Sequence, residues 1–203
     1  MKNNLPRTCL LTVTNSCVLR CRMCNLWQLN TSQDEISLEE CKRFIDSLGD
    51  FGGQPMDVHL IGGESLIKKG IFELINYISS RDSRTVMTSC GYTIDEKTAQ
   101  QLVGSGLSML NISLDSINPA THNSLRGKDD CFSRVIKAIE YLSKHKGNRM
   151  KLGINTVISA ANLDEIIPLI EWVSANNNLD SIYFMAVMRP FGAPVDWQWY
   201  KKS

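Results

Sequence analysis

The sequence predicts an α/β fold, with parallel strands inside, helices outside and a barrel closed only part of the way. Three observations carry this expectation. Short β-branched apolar runs alternate with stretches of helical periodicity along the chain, six of the first kind and five of the second. Such alternation is the pattern of parallel strands joined by right-handed crossovers. A full eight-unit barrel takes about 250 residues, whereas this chain places six units in 203. Its 43% hydrophobic and 21% charged residues suffice for one sizeable core and exclude a disordered or fibrous chain. The expectation is a partial (β/α)6 barrel over residues 1–203, read as one domain.

The elements follow in order. Cys9–Val13 has the length and branching of a short buried strand, ended by Thr14, Asn15 and Ser16. A capping box at Ser37 and Glu40 opens a helix in which Cys41, Phe44, Ile45 and Leu48 recur at helical spacing until Gly49. Val58–Ile61 is the second strand, stopped by Gly62 and Gly63, and Ile71, Leu74, Ile75 and Ile78 mark the second helix. Thr85–Thr88 is the third strand. A second capping box at Thr93 and Glu96 opens a helix carrying Ala99, Leu102 and Val103, closed by Gly104 and Gly106. Leu107–Leu114 is the fourth strand, followed by a long loop and then the helical face of Phe132, Val135, Ile136, Ile139 and Leu142. Leu152–Ile158 is the fifth strand. Asn162 and Glu165 then cap a helix bearing Ile166, Leu169, Ile170 and Val173, which Pro168 must kink or delay. Ile182–Met188 is the sixth strand, and Pro190, Gly192 and Pro194 end regular structure. The tail 190–203, with Trp197, Trp199 and Tyr200, reads as a domain edge or the start of a further extension.

Charge narrows the function classes. Twenty-two Lys and Arg against 21 Asp and Glu give a formal charge of +1, so no strong field draws the chain to nucleic acid or acidic membranes. Seven unevenly spread cysteines, a start without an apolar leader and no run of about eighteen apolar residues argue against a secreted disulfide scaffold and a membrane span. The expectation is a cytoplasmic chain.

Three of the cysteines, Cys17, Cys21 and Cys24, fall in NSCVLRCRMCNLW immediately after the first strand, with the spacing C-x3-C-x2-C. Thiolates are soft ligands that select zinc, copper(I) or iron-sulfur clusters. No fourth Cys or His lies nearby, so a closed structural zinc site would need a distant donor, and one coordination position is otherwise open. Cys9, Cys41, Cys90 and Cys131 stand singly and read as small buried hydrophobes. His59 reads as strand-embedded, His122 and His145 as solvated.

C-x3-C-x2-C after the first strand of a six-unit α/β chain resembles the radical S-adenosylmethionine (radical SAM) superfamily, whose fold is a TIM-like partial barrel. The resemblance implies that Cys17, Cys21 and Cys24 bind three irons of a 4Fe-4S cluster, and that the fourth iron chelates S-adenosyl-L-methionine. One-electron cleavage then gives a 5′-deoxyadenosyl radical that abstracts hydrogen from substrate. Met23 stands where relatives often carry an aromatic. Gly62-Gly63-Glu64 resembles the family's GGE motif, which holds the methionine amino group; alternatively it is a turn needing φ > 0.

On the fourth strand Asn111, Ser113 and Asp115 share one face. The resemblance implies that Ser113 contacts the cofactor and that Asp115 orders the site or meets ribose or substrate. By analogy Arg126 pairs with the methionine carboxylate through its planar fork. Asn155 would stand near ribose and adenine, or be a hydrogen-bonded core amide. Thr88, Ser89 and Cys90 occupy the place of a Thr-Asn-Gly found in many relatives. Met185 and Met188 would line an adenine pocket or belong to the core.

The stretches CFSRVIKAIEYL and NTVISAANLDEI further resemble members with a C-terminal auxiliary-cluster (SPASM or twitch-type) domain. This implies a peptide or small-molecule substrate and a reducing partner such as flavodoxin or ferredoxin; the balanced charge and the lack of a long apolar run give the expectation of no nucleic acid and no membrane. Two rival readings stay open: a nonenzymatic metal or iron-sulfur protein, and a core that binds cofactor without turnover.

Overall fold

The computed structural model describes residues 7–29, 35–52 and 56–188. Its sheet contains β1 (Thr8–Thr14), β2 (Asp57–Gly62), β3 (Arg84–Ser89), β4 (Met109–Ser113), β5 (Lys151–Ile158) and β6 (Ser181–Ala186). Every neighbouring pair is parallel, and the spatial order is the chain order from β1 to β6. Between them run α1 (Leu38–Gly52), α2 (Ile71–Ser79), α3 (Glu96–Gly104), α4 (Pro119–Arg126), α5 (Cys131–Lys146) and α6 (Ile166–Ala175).

Alternation along each strand decides what faces where. On β4, Leu110 and Ile112 join the main apolar cluster with the helices. Asn111 and Ser113 instead face a cavity of about 490 Å³ that residues of β2 to β6 line on the sheet's other side. The sheet therefore curves around a lumen. The helices cover its outer surface with the expected stripes: Ile71, Leu74, Ile75 and Ile78 of α2 and Ala99, Leu102 and Val103 of α3 are all buried. No helix among the described residues is long and apolar enough to cross a membrane.

Several boundaries depart from the sequence expectation, each for a physical reason. The capping box at Ser37 and Glu40 forms, with Ser37 N–H donating to Glu40 Oε2 at 2.9 Å. Gly49 does not stop α1, which continues to Gly52; a single interior glycine costs a helix only about 1 kcal/mol. Asp95 rather than Thr93 caps α3, accepting from Thr98 N–H at 2.7 Å. Glu96 pairs with Lys144 and His145 of α5 instead, so His145 is not simply solvated.

The long loop before α5 contains α4, with Asn118 as its N-cap and Pro119 opening it. α6 begins at Ile166, which puts Pro168 in the first turn, where a backbone N–H has no intrahelical partner to lose. Asn162 and Glu165 make no side-chain cap there. The sixth strand ends at Ala186, and the tail from 190 to 203 lies outside the described residues.

Candidate active site

Backbone geometry fixes the three-cysteine loop at the carboxyl end of β1. Gly63 N–H donates to Thr14 O at 2.7 Å, and Glu64 N–H donates to Ser16 O at 2.8 Å. A side chain at Gly62 would collide with Thr14 O, and one at Gly63 with Ser16 O, while Gly62 also has a φ of +139°. Both demands single out glycine. The GG pair thus lets the end of β2 dock against the chain entering the cysteine loop. Glu35 supports the same entry, its Oε1 accepting from Thr14 Oγ1 at 2.6 Å and Asn15 N–H at 3.0 Å.

Within the loop, Leu19 is fully buried and anchors it to the core. Cys24 N–H donates to Cys21 O at 3.1 Å, a turn that brings these two residues together. Arg20 Nη1 donates to Cys17 O at 3.1 Å and Leu19 O at 3.0 Å, and Trp27 Nε1 donates to Cys24 O at 3.0 Å. The Arg20 guanidinium also stacks over Trp27, 5.1 Å from the ring centroid. Opposite, Arg22 N–H donates to Leu125 O at 2.9 Å, docking the loop on α4.

The three thiols lie close enough to interact electrostatically with one another. Burial pushes the Cys17 and Cys21 thiols up, eased at Cys21 by the Arg126 guanidinium. A bound cation would reverse that balance, because a coordinating thiol is deprotonated outright. Among the described residues no three His, Cys, Asp or Glu side chains stand in an arrangement that could hold a single metal ion. Three soft donors on one loop, with no imidazole or carboxylate in the set, fit a thiolate-held cluster in which each sulfur meets a different iron.

Glu64 is fully buried, and both its carboxylate oxygens accept backbone N–H groups. Oε1 accepts from Leu66 at 3.1 Å, and Oε2 accepts from Cys90 at 2.7 Å. It therefore ties the end of β3 to the turn after β2.

Asp115 and Arg126 form a buried bidentate pair. Arg126 Nε donates to Asp115 Oδ2 at 2.7 Å and Nη2 donates to Oδ1 at 2.8 Å. Burial opposes the guanidinium charge, but the carboxylate outweighs it and holds the Arg126 pKa above its ordinary value. Asp115 Oδ1 also accepts from Val157 N–H at 3.0 Å, and its main-chain carbonyl accepts from Asn162 Nδ2 at 2.8 Å. Its own N–H donates to His122 Nδ1 at 3.2 Å. His122 is fully buried rather than solvated, and burial together with Arg126 pushes its pKa down to about 4. Nδ1 is then an acceptor, and Nε2 stands 3.5 Å from Cys131 Sγ.

The remaining candidates face the lumen. Ser113, Arg126 and Asn155 line it, as do Thr88, Tyr183 and Met185. Asn155 Nδ2 donates to Thr88 Oγ1 at 3.2 Å, linking β5 to β3. Met185 and Met188 are 55% and 71% exposed, so neither is core.

The structure thus brings Cys21, Asp115 and Arg126 together, and Cys17 with Glu64 and Cys90. Sequence reasoning missed Glu35, read His122 as solvated and took Asn162 only as a helix cap. The Asn118-Pro119 dipeptide, a cap residue followed by Pro at the first helical position, was the signal that could have placed His122 on a helix.

Three comparisons bear on this site. Over 171 residues the chain is 32% identical to the AdoMet-dependent heme synthase of Methanosarcina barkeri, a match covering 83% of this chain and 47% of that protein. The structure of anSMEcpe with bound AdoMet superposes with a TM-score of 0.78 at 20% identity, covering 96% of this chain and 55% of that one. Streptococcus suis SuiB bound to its precursor peptide SuiA gives 0.74 at 21% identity, covering 91% and 40%. Both structural neighbours share the partial-barrel fold. The chain spans about half the length of the curated relatives it matches. The family model for the Radical SAM superfamily, whose members use a 4Fe-4S cluster and S-adenosylmethionine, matches residues 11–173. With the cysteine loop, the GGE turn and the open barrel in place, this chain belongs to the radical SAM superfamily.

Proposed function

We propose that this chain is the core of a radical SAM enzyme acting on a peptide substrate, with Cys17, Cys21 and Cys24 holding the cluster. The observation that carries the reading is the meeting of the cysteine loop, the Gly62-Gly63 turn and the Asp115–Arg126 pair at the carboxyl ends of the strands, above one lumen. Barrel chemistry is housed at that end. When bound, the cluster and S-adenosylmethionine supply one-electron sulfonium cleavage and a carbon radical able to abstract hydrogen.

The chain's own residues do the rest. The backbone at Gly62 and Gly63, bare of side chains, accepts the methionine ammonium, and Glu64 acts by bracing that backbone. Arg126 gives Nε and Nη2 to Asp115, leaving Nη1 for the methionine carboxylate. Asp115 orders the site; its filled acceptors support that role rather than contact with ribose. Ser113 and Asn155, both on the lumen wall, hold the nucleoside part. The lumen excludes water and orients a substrate C–H bond. Peptide as the substrate class is supported by the SuiB and subtilosin-biosynthesis (AlbA, Bacillus subtilis) relatives, whose names concern peptide products or precursors. A small-molecule substrate is the alternative, and a flavodoxin or ferredoxin is the expected electron donor.

Anaerobic reconstitution followed by an assay for 5′-deoxyadenosine tests the reading. Reductant-dependent 5′-deoxyadenosine with about four irons per chain is expected. A well-reconstituted chain that forms none overturns it in favour of a core that binds cofactor without turnover, and one zinc per chain without brown colour overturns it in favour of a metal-binding protein.

A further inference from the structure

Gly153 sits inside β5, where glycine weakens a strand and usually marks a bulge or a close approach. Its φ is not in the left-handed region that would demand glycine. The reason for it is space. A Cβ there would collide with Asn111 Oδ1 from β4 and Ser181 Oγ from β6, its two register partners across the sheet. Both of those oxygens are buried, and among the described residues neither has a hydrogen-bond partner.

Asn111 is only 7% exposed yet lines the lumen, and among the described residues its carboxamide makes no hydrogen bond. Buried side-chain amides are nearly always paired, because an unpaired one carries the full cost of desolvation. An apolar residue at 111 would carry no such cost. The polarity is therefore retained for a partner that enters the lumen.

Register places this row two residues below Ser113 and Asn155, deeper in the lumen than the proposed cofactor contacts. The neighbouring wall is largely apolar, with Val86, Met109, Val157 and Met185. Among the described residues the Asp and Arg side chains that line the lumen are paired, Asp57 with Arg84 and Arg126 with Asp115, and His59 lines it from β2. An uncharged ligand group is the match. A carboxamide both donates and accepts, so its complement is another amide, giving N–H to Oδ1 and taking N–H from Nδ2.

We infer that the Asn111–Gly153–Ser181 row is a specificity subsite that binds an amide group of the substrate, main-chain or side-chain. The inference rests on the reading of the lumen as the substrate chamber and sharpens it, since it selects amide-bearing substrates at a defined depth. Glycine at 153 keeps the two side chains in one notch.

Ligand-observed saturation-transfer NMR on the full-length, anaerobically purified holoprotein tests this, using N-methylacetamide against its ester counterpart methyl acetate. The amide is expected to be preferred about fivefold, the worth of one net hydrogen bond. That preference should vanish in Asn111→Leu and in Gly153→Ala. Asn111→Leu should also raise the Tm, because it removes an unpaired buried amide. Equal transfer from both probes, or an amide preference that survives in Asn111→Leu, overturns the inference. So does a fall in Tm for Asn111→Leu, the result if Asn111 and Ser181 simply satisfy one another. If Gly153→Ala does not fold, the Asn111→Leu comparison decides alone. Because cofactor cleavage is not read here, absent 5′-deoxyadenosine would sink the enzymatic reading while leaving the amide preference standing.

Discussion

At the rim above β1 to β4, the two buried carboxylates are held by protein partners: Asp115 meets Arg126 and Val157 N–H, and Glu64 meets two more backbone N–H groups. In the lumen beneath β4 to β6 the pattern reverses. Asn111 and Ser181 hold buried oxygens without partners among the described residues, and Tyr183, Phe184 and Met185 on β6 leave large apolar surfaces exposed. Both regions belong to one sheet and differ in what completes them. A fully paired buried carboxylate holds its neighbours still, whereas an unpaired buried oxygen is costly until something completes it. Residue type alone does not separate these roles.

The comparison is broken most severely at the loop that the rim supports. Replacing Cys17, Cys21 and Cys24 together by alanine should reduce iron to background with far-UV circular dichroism unchanged. Iron retained after that triple change, measured colorimetrically, would place the metal elsewhere. Next in size, Arg126→Met leaves the Asp115 carboxylate buried and alone, which should cost about 3–5 kcal/mol in urea unfolding. The double change Asp115→Leu with Arg126→Met should recover most of that loss, and a double variant as unstable as the single one would refute the saturated-pair account.

The pH response sharpens the contrast further. His122 has a folded pKa of about 4 against an ordinary 6.5, so between those values the unfolded chain binds more protons than the folded one. Its contribution is fully present above the ordinary value and is lost as pH falls through the folded one. From about pH 7 to about pH 5 the loss amounts to roughly 2 kcal/mol. His122→Asn keeps an acceptor but does not titrate, so its stability should be flatter by that amount across the interval. At the small end, Met185→Lys on exposed β6 should change stability by no more than about 0.5 kcal/mol. A larger change there would mean that β6 is packed rather than open.

Much of this was legible in the sequence because apolar periodicity reports burial against helices. The faces of α2 and α3 and all six strands follow from it. The cysteine loop was legible through spacing alone. α4 was not, because the groups it buries include His122 and Arg126, with Leu125 as the apolar contribution, so no hydrophobic repeat announces it. The pairing of Asp115 with Arg126 depends on how α4 returns to the end of β4, a tertiary fact that neither residue carries locally. Asn111 was placed on the polar face of its strand, but its lack of a partner follows from the register of three strands at once. Glu64 drew attention as an ammonium partner, and its two backbone acceptors emerge only when the ends of β2 and β3 are side by side.

A sheet whose spatial order equals its sequence order has a consequence for biosynthesis. The ribosome delivers the amino-terminal end first, and the backbone bonds that seat the cysteine loop come from Gly63, Glu64 and Leu125. Every residue whose backbone seats the cysteine loop is therefore delivered before β5 and β6, whereas Asp115 gains its bonds from Val157 and Asn162 only afterwards. The rim and the lumen of one sheet are thus completed by different stretches of the chain, the first half for the loop's seat and the second for the chamber wall.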